Sequence, residues 1–490
     1  MSILGIALVY FLFMPASSLL DTALDGTVWS AKSLGEALSS GENPPSQRSV
    51  LRALSEFFGD EVVHSIGDVV NPENLPINHL IVEPLREWAQ SKRRPVEILQ
   101  LMERRGKTLV ILSNLAGRVL WAACETPSDE SVLEATTQLL DARGGDIAVL
   151  PHGKAKGYLD QLDLPATVLN LSSLLPPSPF VPTMGSANTP VAQRSHLDQL
   201  ERESIEIIRE AFAASSHPAM LFSMGKDSMV MLSLALKAFA PEPLPFPLVV
   251  IDTQWKFQDM YRFREYLQSR EDMSVIVYVN PEAIERGMNP FEFGSAVHTD
   301  VTKTQALRKV LDEHDFDFVF GGARRDEEKS RAKERIFSIR SAAHGWDPKN
   351  QRPELWNLYN TTLVEGQKMR VFPLSNWTEI DIWRYVEQEN IDLVPLYLSQ
   401  LRPYVLRNGS LIMVDDARFP LEPEEKIHFD FLRFRTLGCY PLTGGALSEA
   451  VSVGDIISEL ENSRVSERSS RVIDFDAGAS MEQKKKDGYF

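Results

Sequence analysis

The residues best suited to chemistry fall in one six-residue stretch, Ser223-Met224-Gly225-Lys226-Asp227-Ser228. An apolar run, Ala219–Phe222, leads into it. Apolar residues at Met229, Val230, Leu232, Leu234, Ala235 and Phe239 lead out of it at helical spacing. Strand, short loop and helix together make an anion site, because N–H groups at a helix N-terminus carry partial positive charge. Gly225 lets the backbone approach a ligand closely. Lys226 adds a full charge, and the hydroxyls of Ser223 and Ser228 add donors. Asp227 is placed to orient the loop or to reach a metal through water. The bland alternative is an ordinary βα turn that happens to hold Gly-Lys-Asp, and the clear flanking strand and helix weigh against it.

The spacing is not that of a Walker loop, G-x-x-x-x-G-K-[ST]. The pattern S-x-G-K-D-S resembles the pyrophosphate-binding (PP) loop of the ATP pyrophosphatases, which cut between the α- and β-phosphates.

A second chemical stretch is Gly321–Arg335, GGARRDEEKSRAKER. A charge run of this kind is usually a solvated helix face. Here it follows a strand's carboxyl end, where open α/β sheets bind ligands. Gly321 and Gly322 free backbone N–H groups, and Arg324, Arg325, Lys329 and Arg331 suit a tetrahedral oxyanion such as sulfate or phosphate. Asp252, after the apolar run Phe246–Ile251, is placed either to bond a nucleoside or to cap a helix.

These sites need a scaffold. Expected strands at Ala219–Phe222, Phe246–Ile251, Ser274–Val279 and Phe316–Phe320 alternate with helices near 194–216, 229–239 and 304–314. Unbroken apolar strands between helices imply a parallel sheet covered on both faces. Residues 171–193 hold Pro176, Pro177, Pro179, Pro182 and Pro190 and read as a linker. Residues 1–170 read as a separate α/β unit. Its expected strands are Ile6–Phe13, Thr108–Leu112 and Asp146–Leu150. Its expected helices are Ser49–Phe58, Leu80–Gln90, Pro95–Arg104 and Ser131–Ala142. Asp25-Gly26-Thr27 and a strand ending in Ser113-Asn114 resemble a degenerate haloacid-dehalogenase-type phosphatase, with Lys154 or Lys156 as its later lysine. Ala23 stands where that family's nucleophilic Asp belongs, so no aspartyl-phosphate can form. A non-catalytic α/β domain is the expected reading.

The chain of 490 residues is long enough for two or three domains, and 43% hydrophobic with 24% charged residues is ordinary for a globular protein. A net charge of −17 argues against a general nucleic-acid or anionic-membrane binder. The two cysteines, Cys124 and Cys439, exclude a disulfide scaffold, a zinc cluster and a C-x-x-C pair, and imply a reducing, cytoplasmic setting. Ile3–Met14 is apolar but lacks a basic flank and is too short to span a membrane, which favours a buried first strand over a signal peptide.

From about residue 194 to residue 490 the sequence resembles the small subunit of bacterial heterodimeric sulfate adenylyltransferase. The stretches that carry this are Gly321–Arg335, Asp252–Phe257, Gly294–Asp300, Trp346–Trp356, Phe372–Glu379, Arg433–Cys439 and Lys485–Phe490. The resemblance implies a PP-loop fold of the adenine-nucleotide α-hydrolase type. It implies a reaction in which ATP and sulfate give adenosine 5′-phosphosulfate and pyrophosphate. It implies ATP as substrate with Mg²⁺ on its phosphates, and a GTPase partner of the elongation-factor type. On this basis the loop with Lys226 holds the leaving phosphates, and Asp252 holds the nucleoside. Arg324, Arg325, Lys329 and Arg331 hold sulfate and the α-phosphate, while Arg433 and Arg435 close the site. Residues 346–356 are a candidate partner surface or an ordered loop. No metal ligand is assigned. A phosphosulfate reductase needs a nucleophilic cysteine near the C-terminus, and Cys439 in Arg-Thr-Leu-Gly-Cys-Tyr reads instead as a core thiol.

Overall fold

The computed structural model describes residues 23–37, 58–124, 128–182 and 191–462. The expected strand Ile6–Phe13, nearly all of the expected helix Ser49–Phe58 and the Lys485–Phe490 motif lie outside the described residues. The chain divides into two compact units, Met1–Ser178 with Ile427–Phe429, and Pro179–Lys426 with Asp430–Phe490.

The first unit is built on a six-stranded sheet of order β1-β4-β3-β2-β5-β6. Its strands are β1 Trp29–Ser30, β2 Val96–Arg104, β3 Lys107–Asn114, β4 Val119–Ala123, β5 Ile147–Pro151 and β6 Val168–Asn170. Helices His79–Ser91 and Asp129–Arg143 form where the apolar spacing placed them. Residues Pro95–Arg104 are the exception, because the expected helix is strand β2. Arg105 and Gly106 both have positive φ, 50° and 76°, and form the two-residue turn that pairs β2 with β3 from Glu97↔Asn114 to Arg104↔Lys107. A central strand is covered on both faces and shows no alternation, so its apolar residues imitate helical spacing. The polar residues within it are satisfied. Glu97 accepts from Arg143 Nε at 2.7 Å, and Gln100 accepts from the Val63 N–H at 2.7 Å.

The phosphatase resemblance in this unit does not survive. Lys107 Nζ donates to the Leu24 carbonyl at 2.6 Å, which puts the Asp25 turn at the start of β3. Ser113 lies at the other end of that strand. Its hydroxyl donates to the Val63 carbonyl at 2.7 Å and does not join the Asp25 carboxylate. The Asp25 carboxylate instead accepts from the Thr27 N–H and the Trp29 indole, and Lys156 pairs with Asp160.

The second unit carries a sheet of order β11-β12-β10-β7-β8-β9. The strands are β7 Pro218–Leu221, β8 Leu248–Ile251, β9 Val275–Tyr278, β10 Phe318–Phe320, β11 Phe337–Arg340 and β12 Lys368–Val371. All neighbours are parallel except β11 with β12. Helices cover both faces, as the apolar strands required. Val319 of β10 packs with Ala219, Val249, Leu307, Val310 and Leu311 on one face. Its neighbour Phe320 stacks on Phe246 at 5.0 Å on the other, beside Phe239 and Phe212 of the helices Lys226–Phe239 and Val191–Ala214. Burial of Leu232 and Leu234 in the helix Lys226–Phe239 contributes about 1.5–3 kcal/mol each. Strands β13 Gln400–Arg407, β14 Ser410–Met413, β15 His428–Arg433 and β16 Gly444–Leu447 close a small barrel that the sequence reading had not foreseen.

Chain order matters most for function. The strand after β7 lies to one side of it, and β10 lies to the other. The sheet therefore changes direction between β7 and β10, and the loops leaving their carboxyl ends border one crevice.

Candidate active site

Both chemical stretches leave the sheet at this switch point. Phe320 pairs with Met220 across β10 and β7, so Gly321-Gly322 emerges beside Ser223–Ser228. The approach is close. A Cβ on Gly322 would meet the Asp227 backbone carbon and Cβ at 3.4 Å.

The loop is held in an unusual shape. Met224 has φ 61°, a left-handed conformation costly for a side chain, and buries that side chain as an anchor. Gly225 is the N-cap of the helix Lys226–Phe239, and a Cβ on it would meet Ser223 Oγ at 3.2 Å and Tyr397 Oη at 3.4 Å. Ser228 Oγ donates to the Gly225 carbonyl at 2.8 Å and lies 3.3 Å from Ser223 Oγ. The backbone N–H of Lys226 donates to Tyr397 Oη at 2.7 Å.

A closed ring of charges surrounds the loop. Arg324 Nε donates to Asp227 Oδ1 at 2.6 Å, and its Nη1 donates to Asp326 Oδ2 at 3.2 Å. Asp326 Oδ2 also accepts from the Glu379 N–H at 3.0 Å. Glu379 accepts from Arg435 Nη2 at 2.9 Å. The Arg435 carbonyl accepts from Lys226 Nζ at 3.4 Å, and Lys226 returns to Asp227 Oδ2 at 3.2 Å. Burial opposes ionisation of Asp227, but Lys226 and Arg324 outweigh it and hold its carboxyl far below the usual carboxylate range. Lys226 and Arg324 are themselves buried, so the charges are fixed in place.

The other site candidates fall around this core. Arg325 donates to Asn376 Oδ1 at 2.5 Å and is the more exposed arginine of the pair. Arg331 turns back to Glu327 at 3.1 Å. The side chain of Lys329 lies outside the described atoms. Asp252 accepts from the Gln254 N–H at 2.7 Å and from Arg264 Nη1 at 2.6 Å, which shapes the loop after β8 and caps no helix. Arg433 points away, to Glu459 at 2.6 Å. Cys439 is buried against Thr253 Oγ1 at 3.1 Å. Sequence reasoning missed Tyr397, Asp326 and Glu379 as site members. Glu379 lay in a quoted motif, but nothing in its spacing pointed to an arginine over fifty residues away. Among the described residues no helix is long and apolar enough to cross a membrane.

A strand–loop–helix anion site at the switch point of a parallel sheet defines a PP-loop nucleotide-binding protein. Residues 217–445 match the family model of the phosphoadenosine phosphosulfate reductase domain. A Marinobacter nauticus protein named sulfate adenylyltransferase subunit 2 1 is 60% identical over 298 residues, covering 61% of this chain and 98% of that one. Sulfate adenylyltransferase subunit 2 of Geobacter metallireducens is 58% identical over 296 residues, covering 60% of this chain and 98% of that one. A solved phosphoadenylyl-sulfate reductase from Candida auris is similar at 16% identity and a TM-score of 0.29, over 43% of this chain and 93% of that one. The chain belongs to the sulfate adenylyltransferase subunit 2 family.

Proposed function

We propose that this chain transfers the adenylyl group of ATP to sulfate, giving adenosine 5′-phosphosulfate and diphosphate. The observation that carries the reading is the charge ring around Lys226, set at a helix N-terminus in a chain 60% identical to a sulfate adenylyltransferase subunit along 98% of its length.

Sulfate has no proton to remove at neutral pH. The reaction therefore requires placement and charge neutralisation rather than a general base. Lys226, the loop N–H groups and the Ser223 and Ser228 hydroxyls hold the β- and γ-phosphates that leave as diphosphate. Arg324 acts through Asp227, keeping the loop in register, and so positions rather than touches substrate. Arg325, the more exposed arginine, borders the α-phosphate as it transfers, while Arg331, paired with Glu327, braces the segment that carries it. Gly322 lets this stretch pack on the Asp227 backbone, whereas the Gly321 N–H, expected to be free for a ligand, is spent on the Val371 carbonyl. The nucleoside lies along the loop shaped by Asp252. Mg²⁺ enters as part of the ATP substrate. Asp227, the loop's carboxylate, is committed to Lys226 and Arg324, so the loop offers no protein cage for the ion, and no step is assigned to a protein-held metal.

Relatives of this chain are named as subunit 2, which implies a second subunit. We propose a GTPase as that subunit and the segment Leu355–Val364 as its contact. Leu355, Trp356, Leu358 and Val364 are 60%, 85%, 69% and 59% exposed. The amino end of the surface considered from sequence drops out, because Trp346 is buried. The cytoplasm, where ATP is available and thiols stay reduced, is the proposed compartment.

The reverse reaction tests this directly, since the sulfuric–phosphoric anhydride makes it downhill. Adenosine 5′-phosphosulfate and pyrophosphate should yield ATP with the wild-type chain and not with Lys226→Ala. ATP formation undiminished in the variant would overturn the assignment of the loop.

A further inference from the structure

His298 is fully buried, and neither of its ring nitrogens has a hydrogen-bond partner. The hydroxyl of the next residue, Thr299, is buried and unpartnered as well. A structural core histidine bonds at least one nitrogen, because an unmet polar group in the interior is costly. Three such atoms on consecutive residues mark a place built for something polar.

The surroundings say what kind of group it takes. His298 lies in the last turn of the helix Gly294–Thr299, and a π-helical turn, Asp300–Gln305, continues it. Thr302 Oγ1 donates to the His298 carbonyl at 2.7 Å, fixing the junction. Single π-turns inside helices occur frequently at functional sites. Burial first, then the ammonium groups of Lys303 and Lys256, lower the pKa of His298 to about 4. It is therefore a neutral donor within electrostatic reach of two cations. The Asp300 carboxylate accepts from Gln305 Nε2 at 2.8 Å and is exposed.

We infer that His298, with Thr299, Lys256 and Lys303, forms a closed subsite for a tetrahedral dianion, the sulfate acceptor of the proposed reaction. The inference rests on that reading and deepens it. Four oxygens carrying two charges call for this mixture of N–H, O–H and ammonium donors. The place is consistent with transfer. Lys256 and His298 follow β8 and β9 on their carboxyl side. Lys256 forms a β-bridge with Cys439, and Arg435, four residues earlier, accepts from Lys226 Nζ. Four residues span at most about 14 Å. One short segment thus ties the acceptor subsite to the loop that holds the leaving diphosphate.

The test uses the full chain with its partner subunit and measures KM for sulfate and for ATP separately. His298→Ala should raise the sulfate KM at least tenfold and leave the ATP KM within twofold. His298→Asn, which keeps an N–H donor, should recover part of that loss and decides the matter if the alanine variant does not fold. Without turnover, sulfate compared with chloride at matched ionic strength should raise the thermal midpoint of the wild type and not of the variant. An unchanged sulfate KM, or an equal rise for both substrates, would overturn the subsite while leaving the reaction standing. A wild-type enzyme with no sulfate dependence would overturn the reaction and the subsite together.

Discussion

Arg324 is the residue whose removal most sharply separates a structural ring from a sulfate clamp. Its side chain is fully buried and bonded to two carboxylates, Asp227 at 2.6 Å and Asp326 at 3.2 Å. Arg324→Met keeps the volume and removes the charge. Breaking one side of a buried pair costs about 3–5 kcal/mol. Lys226 remains 3.2 Å from Asp227 and still neutralises it. The lower limit of about 3 kcal/mol is therefore expected, which for a unit of this size lowers the melting temperature by about 4–5 °C. The released loop should raise the KM for ATP and leave that for sulfate unchanged, because Arg324 supports the phosphate loop and does not meet the acceptor.

The pH dependence follows from the depressed Asp227 carboxyl. A carboxyl whose folded pKa is lowered contributes stability that is present above the unfolded pKa of about 3.9. That stability is lost as pH falls through the lower folded value. Wild-type protein should keep this contribution at mildly acidic pH, and Arg324→Met should lose stability at higher pH than the wild type. Thermal melts from neutral pH down through pH about 4 and below, with KM measured for each substrate at neutral pH, form the assay. A melting temperature within a degree of wild type, or a rise in the sulfate KM alone, would refute the ring.

Three further outcomes are expected. Tyr397→Phe leaves the Lys226 N–H without its acceptor, at a cost of about 1–3 kcal/mol, and should raise the ATP KM on the order of tenfold in steady-state assays while sparing sulfate. Gly445→Ala would place a Cβ 2.6 Å from Leu432 Cδ2. The resulting overpacking of the barrel should cost about 1–3 kcal/mol in a denaturant melt without shifting the ratio of the two KM values. Trp356→Ala changes a side chain that is 85% exposed. It should leave the melt of the isolated chain within about 0.5 kcal/mol and weaken co-purification with the partner subunit.

The parallel sheet and its loop were legible because their signals are local. An apolar run, a polar hexapeptide and a helical repeat stand side by side in 218–240, and nothing distant is needed to fold them that way. The strand β2 was not legible. Its apolar residues fit a helix until Arg105 and Gly106 turn the chain back on β3, and that pairing is a property of two segments together. The charge ring failed for the same reason. The run after Gly322 reads as a cluster of free cations, yet Arg324 and Arg331 are claimed by carboxylates within it and by Asp227, ninety-seven residues earlier. Sequence shows which charges exist, whereas their pairing is decided by the crevice between β7 and β10. The barrel of β13 to β16 was missed because short strands in a loop-rich segment leave little periodicity.

The most direct measurement is pyrophosphate release from ATP, with and without sulfate, by the chain and its partner subunit, beside Lys226→Ala. Release that depends on sulfate and disappears in the variant is the expected result. Release that proceeds equally without sulfate, or that survives the loss of Lys226, would contradict adenylyl transfer at this loop.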